Sequence, residues 1–180
     1  MKKILVAIFL VLAVATGCTT SSNTPTERVE EFMSKYQSLD SEVLSQLDKV
    51  VASDTTMSDD QQKEYTSLMK KQYQNLSYKI KDEKIDGDTA HVTVEVEVYD
   101  YISSLNKAET YYNNNKDKFT DDNGNIQEEK YMDYKLTEMK KVNDRKKYEI
   151  IFTLTKEDNK WTMDDITDSD RQKLHGLYQD

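Results

Sequence analysis

The sequence predicts an α+β domain: N-terminal helices packed on a curved antiparallel sheet, with a helical hairpin inserted between two pairs of strands. Three observations carry this. The apolar residues up to about position 73 recur with the period of a helix. The period then switches to two in Val92, Val94, Val96 and Val98, and again in Tyr148, Ile150, Phe152 and Leu154. Between these stretches lies a segment of helical period, residues 102–146.

Taken in order, Thr24-Pro25-Thr26-Glu27 is a capping box with Pro at the first helical position, and Val29, Phe32, Met33 and Tyr36 line one face of the helix it opens. Asp40 or Ser41 caps a second helix with Val43, Leu44, Leu47, Val50 and Val51 on its stripe. Ser58 and Gln61 cap a third, with Tyr65, Leu68, Met69 and Tyr73 facing inward. Tyr78 and Ile80 begin a strand, Asp86-Gly87-Asp88 turns it, and the Val ladder returns as a half-buried antiparallel partner. In the insertion, Tyr101, Leu105, Ala108 and Tyr112 form one helical stripe, and Met132, Leu136, Met139 and Val142 form a second. The polar turn Asp121–Asn125 separates them. Glu157–Lys160 turns the second strand pair, Trp161 and Met163 open its last strand, and a closing helix over 167–178 puts Leu174 and Leu177 inward.

Composition bounds the function. With 4 Gly and 1 Pro among 180 residues there is no Gly-rich phosphate loop, and a single Cys precludes an intrachain disulfide or a thiolate metal cage. The net charge of −9 opposes binding of nucleic acid. Leu, Ile, Val and Phe are scarce for a folded chain, but 12 Tyr, the Met residues and one Trp supply large side chains, and their ordering by period argues for a packed core.

The first residues read as an export signal. Lys2 and Lys3 precede an apolar run, Ile4–Ala15, too short to span a bilayer, which needs about 20 residues. Ala15-Thr16-Gly17-Cys18 then resembles a bacterial lipobox, although Ala15 stands where that motif prefers Leu. The resemblance implies cleavage before Cys18, diacylglycerol on its thiol, and a protein held at the extracytoplasmic face of the cell membrane. Two or three acyl chains at about 0.8 kcal/mol per buried methylene make a stable anchor. Residues 1–17 are thus expected to be a signal peptide, and 18–24 the lipidated Cys and a polar tether with a reach of about 20 Å, which places the body near the lipid.

The segments Pro25–Leu39, Tyr78–Ile80 with Ile85–Val96, and Tyr148–Trp161 together resemble the small secreted lipoproteins with a nuclear transport factor 2-like domain, a helix-lined cone closed by a curved sheet. The resemblance extends over 25–180, with 102–146 as an added insertion, and implies a pocket in the cone but no particular chemistry.

Several clusters could carry chemistry. Asp121-Asp122-Asn123-Gly124-Asn125-Ile126 invites a calcium reading. With Gly124 at the sixth position of an EF-hand loop, however, Phe119 falls at the first and Lys130 at the twelfth, so both ends of the coordination sphere are missing. His91, Thr93, Glu95 and Glu97 share one strand face, opposite the Val ladder, and read as a solvated face. Asp164, Asp165, Asp168 and Asp170 suit the N-terminus of the last helix. Lys140, Lys141, Arg145, Lys146 and Lys147 reverse the acidic balance locally, either as cations at a helix C-terminus or as a lipid-facing patch. Tyr131 and Tyr134 stand off the second stripe, where exposed rings could stack on sugars or a partner. His175 has no partner at ligand spacing.

The sequence thus assigns Cys18 as lipid-modified, and no catalytic residue, metal ligand or cofactor. It predicts a non-enzymatic binding or interaction module, with the membrane as one partner and an unidentified protein or wall polymer as another. The alternatives are a small isomerase- or dehydratase-like enzyme using the cone pocket, or a wall-polymer-binding envelope protein.

Overall fold

The computed structural model describes residues 23–179. Cys18, the signal segment and most of the tether lie outside the described residues. Among the described residues the architecture is α+β: six α-helices and one four-stranded antiparallel sheet.

Helix α1 (Pro25–Ser38) starts on the expected capping box, with the Thr24 hydroxyl accepting the Glu27 N–H (3.3 Å) and the Glu27 carboxylate accepting the Thr24 N–H (3.1 Å). Helix α2 (Ser41–Ser53) is capped by Asp40 and buries Val43, Leu47 and Val51. Val50, placed on its stripe by periodicity, is instead 61% exposed. Helix α3 (Asp59–Asn75) opens on the Ser58–Gln61 capping box.

Strands β1 (Ser77–Asp86), β2 (Thr89–Tyr99), β3 (Arg145–Glu157) and β4 (Lys160–Met163) form an antiparallel sheet in chain order. The β3–β4 turn places Asp158 and Asn159 at positive φ, the geometry whose twist suits a two-residue hairpin. On the inner face Ala90, Val92, Val94 and Val96 stand opposite Leu154, Phe152, Ile150 and Tyr148, all buried. α1, α3 and α6 (Asp168–His175) cover that face. The cone implied by the family resemblance is therefore filled at the sheet: Val92, Val94, Val96 and Val98 have no exposed surface.

The insertion consists of α4 (Tyr101–Asn114) and α5 (Glu128–Lys140). An aromatic cluster zips them together. Tyr112 stacks on Tyr131 (4.2 Å between centroids) and Tyr111 on Tyr134 (4.9 Å), while Phe119, buried in the connection, meets all four rings edge-on. β3 starts at Arg145 and not at Tyr148, because the inward position before Tyr148, opposite Val98, is filled by a long cation, Lys146, whose neighbour Arg145 lies on the outer face. Arg145 sits over Tyr99 (4.8 Å) and Lys146 over Tyr148 (5.0 Å), which hides the period of two.

Two buried glutamines fasten this hairpin to α3. Gln72, with no exposed surface, accepts the Tyr99 N–H at Oε1 (2.8 Å) and donates from Nε2 to the Tyr99 carbonyl (3.2 Å), tying α3 to the end of β2 where the hairpin departs. Farther along α3, Gln61 donates to the Glu129 carbonyl (2.9 Å) and the Asp133 carboxylate (2.6 Å) of α5. The closing helix stops at His175, short of Tyr178, because Gly176 takes the left-handed conformation (φ 70°). Gly176 accepts the Ile102 N–H (2.8 Å).

A Cβ on Gly176 would run into the Tyr99 carbonyl oxygen and the Gln72 amide, and its φ is unfavourable to any L side chain. Gly176→Ala is expected to cost about 3 kcal/mol or more, read as a large drop in Tm by thermal denaturation followed by circular dichroism.

Candidate functional site

The hairpin, held away from α2, encloses a groove of about 460 Å³. Val51, Leu136 and Met139 form its floor, and Met57, Leu105, Met132 and Leu177 its half-buried walls. Asp54 and Lys135 face each other electrostatically across the rim, with Glu109 beside them. Two hydrogen bonds from Thr56 hold the Asp54 carboxyl below its ordinary range, and Lys135 adds to this. Lys135 also lies over the Tyr131 ring (4.8 Å). The groove thus offers unbranched, polarizable Met side chains inside and a few charges at the mouth, a composition suited to an apolar or amphipathic ligand. A wider trough of about 600 Å³ between α2 and α3 is lined by Asp48, Asp59, Lys63 and Lys70 and is more polar.

A second, smaller cavity of about 60 Å³ lies under α6, bounded by Tyr36, Tyr65, Tyr73, Arg171 and His175. His175 Nε2 and the Tyr73 hydroxyl share a hydrogen bond (3.0 Å), and Tyr36 meets Tyr73 edge-on (5.0 Å). Burial, reinforced by the Arg171 charge, pushes the imidazole down to about 4, and burial pushes the Tyr36, Tyr65 and Tyr73 hydroxyls up. Sequence spacing missed this grouping, because its members come from α1, α3 and α6.

The other clusters are spent within the fold. Asp121 turns its carboxylate onto its own loop, accepting the Asn123 and Asn125 N–H groups (2.9 and 2.8 Å), and these bonds lower its pKa. His91 and Glu95 lie on the outer face of the sheet, where Glu95 pairs with Lys147 (3.0 Å) and Lys81 (3.5 Å). Thr167 caps α6, Asp170 pairs with Lys173 (3.0 Å), and Asp164 accepts the Thr155 hydroxyl (3.1 Å). Lys140 pairs with Glu64 (3.2 Å) and Lys141 with Glu138 (2.6 Å), while Arg145 donates to the Asn75 and Glu97 carbonyls. Tyr131 and Tyr134, which stand off the second stripe, stack on Tyr112 and Tyr111. Among the described residues no group of three or more His, Cys, Asp and Glu could hold a metal ion, and no helix is long and apolar enough to cross a membrane.

No family model and no curated protein matches the chain. Among solved structures it is similar to a "putative lipoprotein" (ycdA) from Bacillus subtilis subsp. subtilis strain 168, at 18% identity and a TM-score of 0.41. The alignment covers 86% of this chain and 47% of that one, so the chain spans about half the length of that protein.

The half-buried His175, its imidazole bonded to Tyr73, gives a signed pH dependence. Its folded-state pKa lies below the ordinary value of 6.5, so its contribution is full above that pH. It is lost as pH falls from about 6.5 to about 4, up to about 3 kcal/mol in all. The depressed carboxyls of Asp54, Asp60, Asp121 and Glu95 lose theirs at lower pH, below their ordinary values of 3.8 to 4.5. Urea unfolding at a series of pH values is expected to show a flatter dependence between 6.5 and 4 for His175→Gln than for the native chain.

Proposed function

We propose that this chain is a lipid-anchored, extracytoplasmic binding module. Cys18 carries the lipid, and the groove between the hairpin and α2 takes the apolar part of a ligand. The observation that carries the binding reading is the groove itself: its volume falls within the range of small-molecule sites, and it is apolar inside with charges confined to the rim. The anchor rests on the sequence, on Lys2–Lys3, the apolar run and Ala15-Thr16-Gly17-Cys18. The scaffold is then a nuclear transport factor 2-like cone whose interior is packed and whose binding site has moved to the insertion.

The enzymatic alternative needs an acid or base inside a substrate-sized cavity, and the charged groups of the groove, Asp54, Glu109 and Lys135, stand at its rim. His175 is the imidazole that faces a cavity, and that cavity, at about 60 Å³, is water-sized rather than substrate-sized. The wall-polymer alternative relied on exposed tyrosines, and Tyr131 and Tyr134 are engaged inside the hairpin. Both observations favour the binding module.

Two measurements test the reading. In cells, Cys18→Ala is expected to move the protein from the membrane to the soluble fraction, and retention in the membrane would contradict the anchor. In vitro, the chain from residue 18 with Cys18→Ser is expected to bind 1-anilinonaphthalene-8-sulfonate with a rise in fluorescence. Leu105→Asp, at a half-buried wall position, is expected to weaken that binding at least about tenfold with Tm little changed. Equal binding by both proteins would remove the groove as the site.

A further inference from the structure

The chain enters the fold at one end of the sheet. The Asn23 side chain donates to the Asn159 carbonyl in the β3–β4 turn (3.4 Å). Thr26 donates through its N–H (3.0 Å) and its hydroxyl (2.6 Å) to the Glu83 carboxylate, toward the β1–β2 turn. The hairpin leaves from the other end, where Tyr99 pairs with Arg145 and the Asp100 N–H donates to the Asp144 carbonyl (3.0 Å). Thirteen residues of β3 separate the two ends, about 40 Å at about 3.3 Å per residue. Five residue steps separate Asn23 from Cys18, at most about 18 Å of chain. A lipid on Cys18 is therefore confined to the turn end of the domain, and the far end lies beyond its reach.

Charge does not set this orientation. The turn end exposes Asp86, Asp88, Glu157 and Asp158 beside Lys84 and Lys160, a mixed surface, so the anchor and not adhesion holds this end near the bilayer. The cation-rich segment, Lys140 to Lys147, lies at the opposite end, with its charges paired or laid on rings.

We propose that the domain stands on the membrane with its two β-turns toward the lipid and the hairpin end outward, so that the groove is open to the extracytoplasmic solution and its occupant arrives from there. This rests on the reading of Cys18 as the anchored residue.

The test uses the lone cysteine and the lone tryptophan. Trp161 sits in β4 beside the turn end, paired with Lys156. The chain beginning at Cys18 is coupled through its thiol to a maleimide-headgroup lipid in phosphatidylcholine vesicles that also carry dansyl-phosphatidylethanolamine. Energy transfer from Trp161 to dansyl is expected to be at least twice that from a Trp161→Phe, Asn143→Trp variant, whose donor lies in the exposed loop before β3. Equal transfer, or stronger transfer from position 143, would overturn the orientation. Should the double variant not fold, Asn143→Trp alone decides: mean transfer per tryptophan falls below the native value if the proposal holds, and stays level or rises if it does not. Because the coupling is chemical, this result is independent of whether Cys18 is acylated in cells, which the fractionation of Cys18→Ala reads separately.

Discussion

Gln72 lies on a helix with no exposed surface and spends its amide on the two backbone groups of one residue, Tyr99. That pairing decides what can be built beyond the sheet. Tyr99 is the last residue of β2, and an unpaired backbone N–H or C=O buried there would cost about 1–3 kcal/mol. Satisfying both from α3 lets the chain leave the sheet directly into α4. Gly176 then packs against the same spot, close enough that only a hydrogen atom fits in place of a side chain. Gln61 repeats the device about 16 Å farther along α3, at about 1.5 Å per residue, on α5. Held at both places, the hairpin has a fixed distance from α2, and the groove between them is preformed.

Much of this fold was legible in the sequence. The Val ladder, the capping boxes of α1 and α3 and the two helical stripes of the insertion are local signals, and each has its structural counterpart in the expected segment. What escaped depends on contacts distant in sequence. Gln61 reads as a capping residue and Gln72 carries no signal of its own, because a buried amide is recognisable only by its remote partners. His175 looks isolated until Tyr73, 102 positions earlier, is brought against it. The start of β3 is masked because Lys146 puts a charged head on an apolar stem at the inward position before Tyr148. The groove itself draws Met57, Leu105, Met132 and Leu177 from four segments, none of which marks a site alone.

The same constraints shape the functional reading. Tyrosine is abundant because rings do structural work that Leu and Phe are too few to do: five of the aromatic residues close the hairpin and three line the cavity at His175. With the sheet face packed, the proposed binding groove lies instead where the hairpin is held away from α2. The described chain enters at the turn end of the sheet and the hairpin leaves from the other end, the arrangement that the proposed lipid-held module requires.

The central claim is that the hairpin is a rigid part of the domain, welded to α3 through Gln61 and Gln72, and the most direct test is backbone amide hydrogen exchange in the native chain. The account predicts that the middle turns of α4 and α5 exchange as slowly as the Val ladder of β2, through the same global opening. Exchange of both helices orders of magnitude faster than the ladder, at unchanged global stability, would show a hairpin that opens independently and would contradict the account.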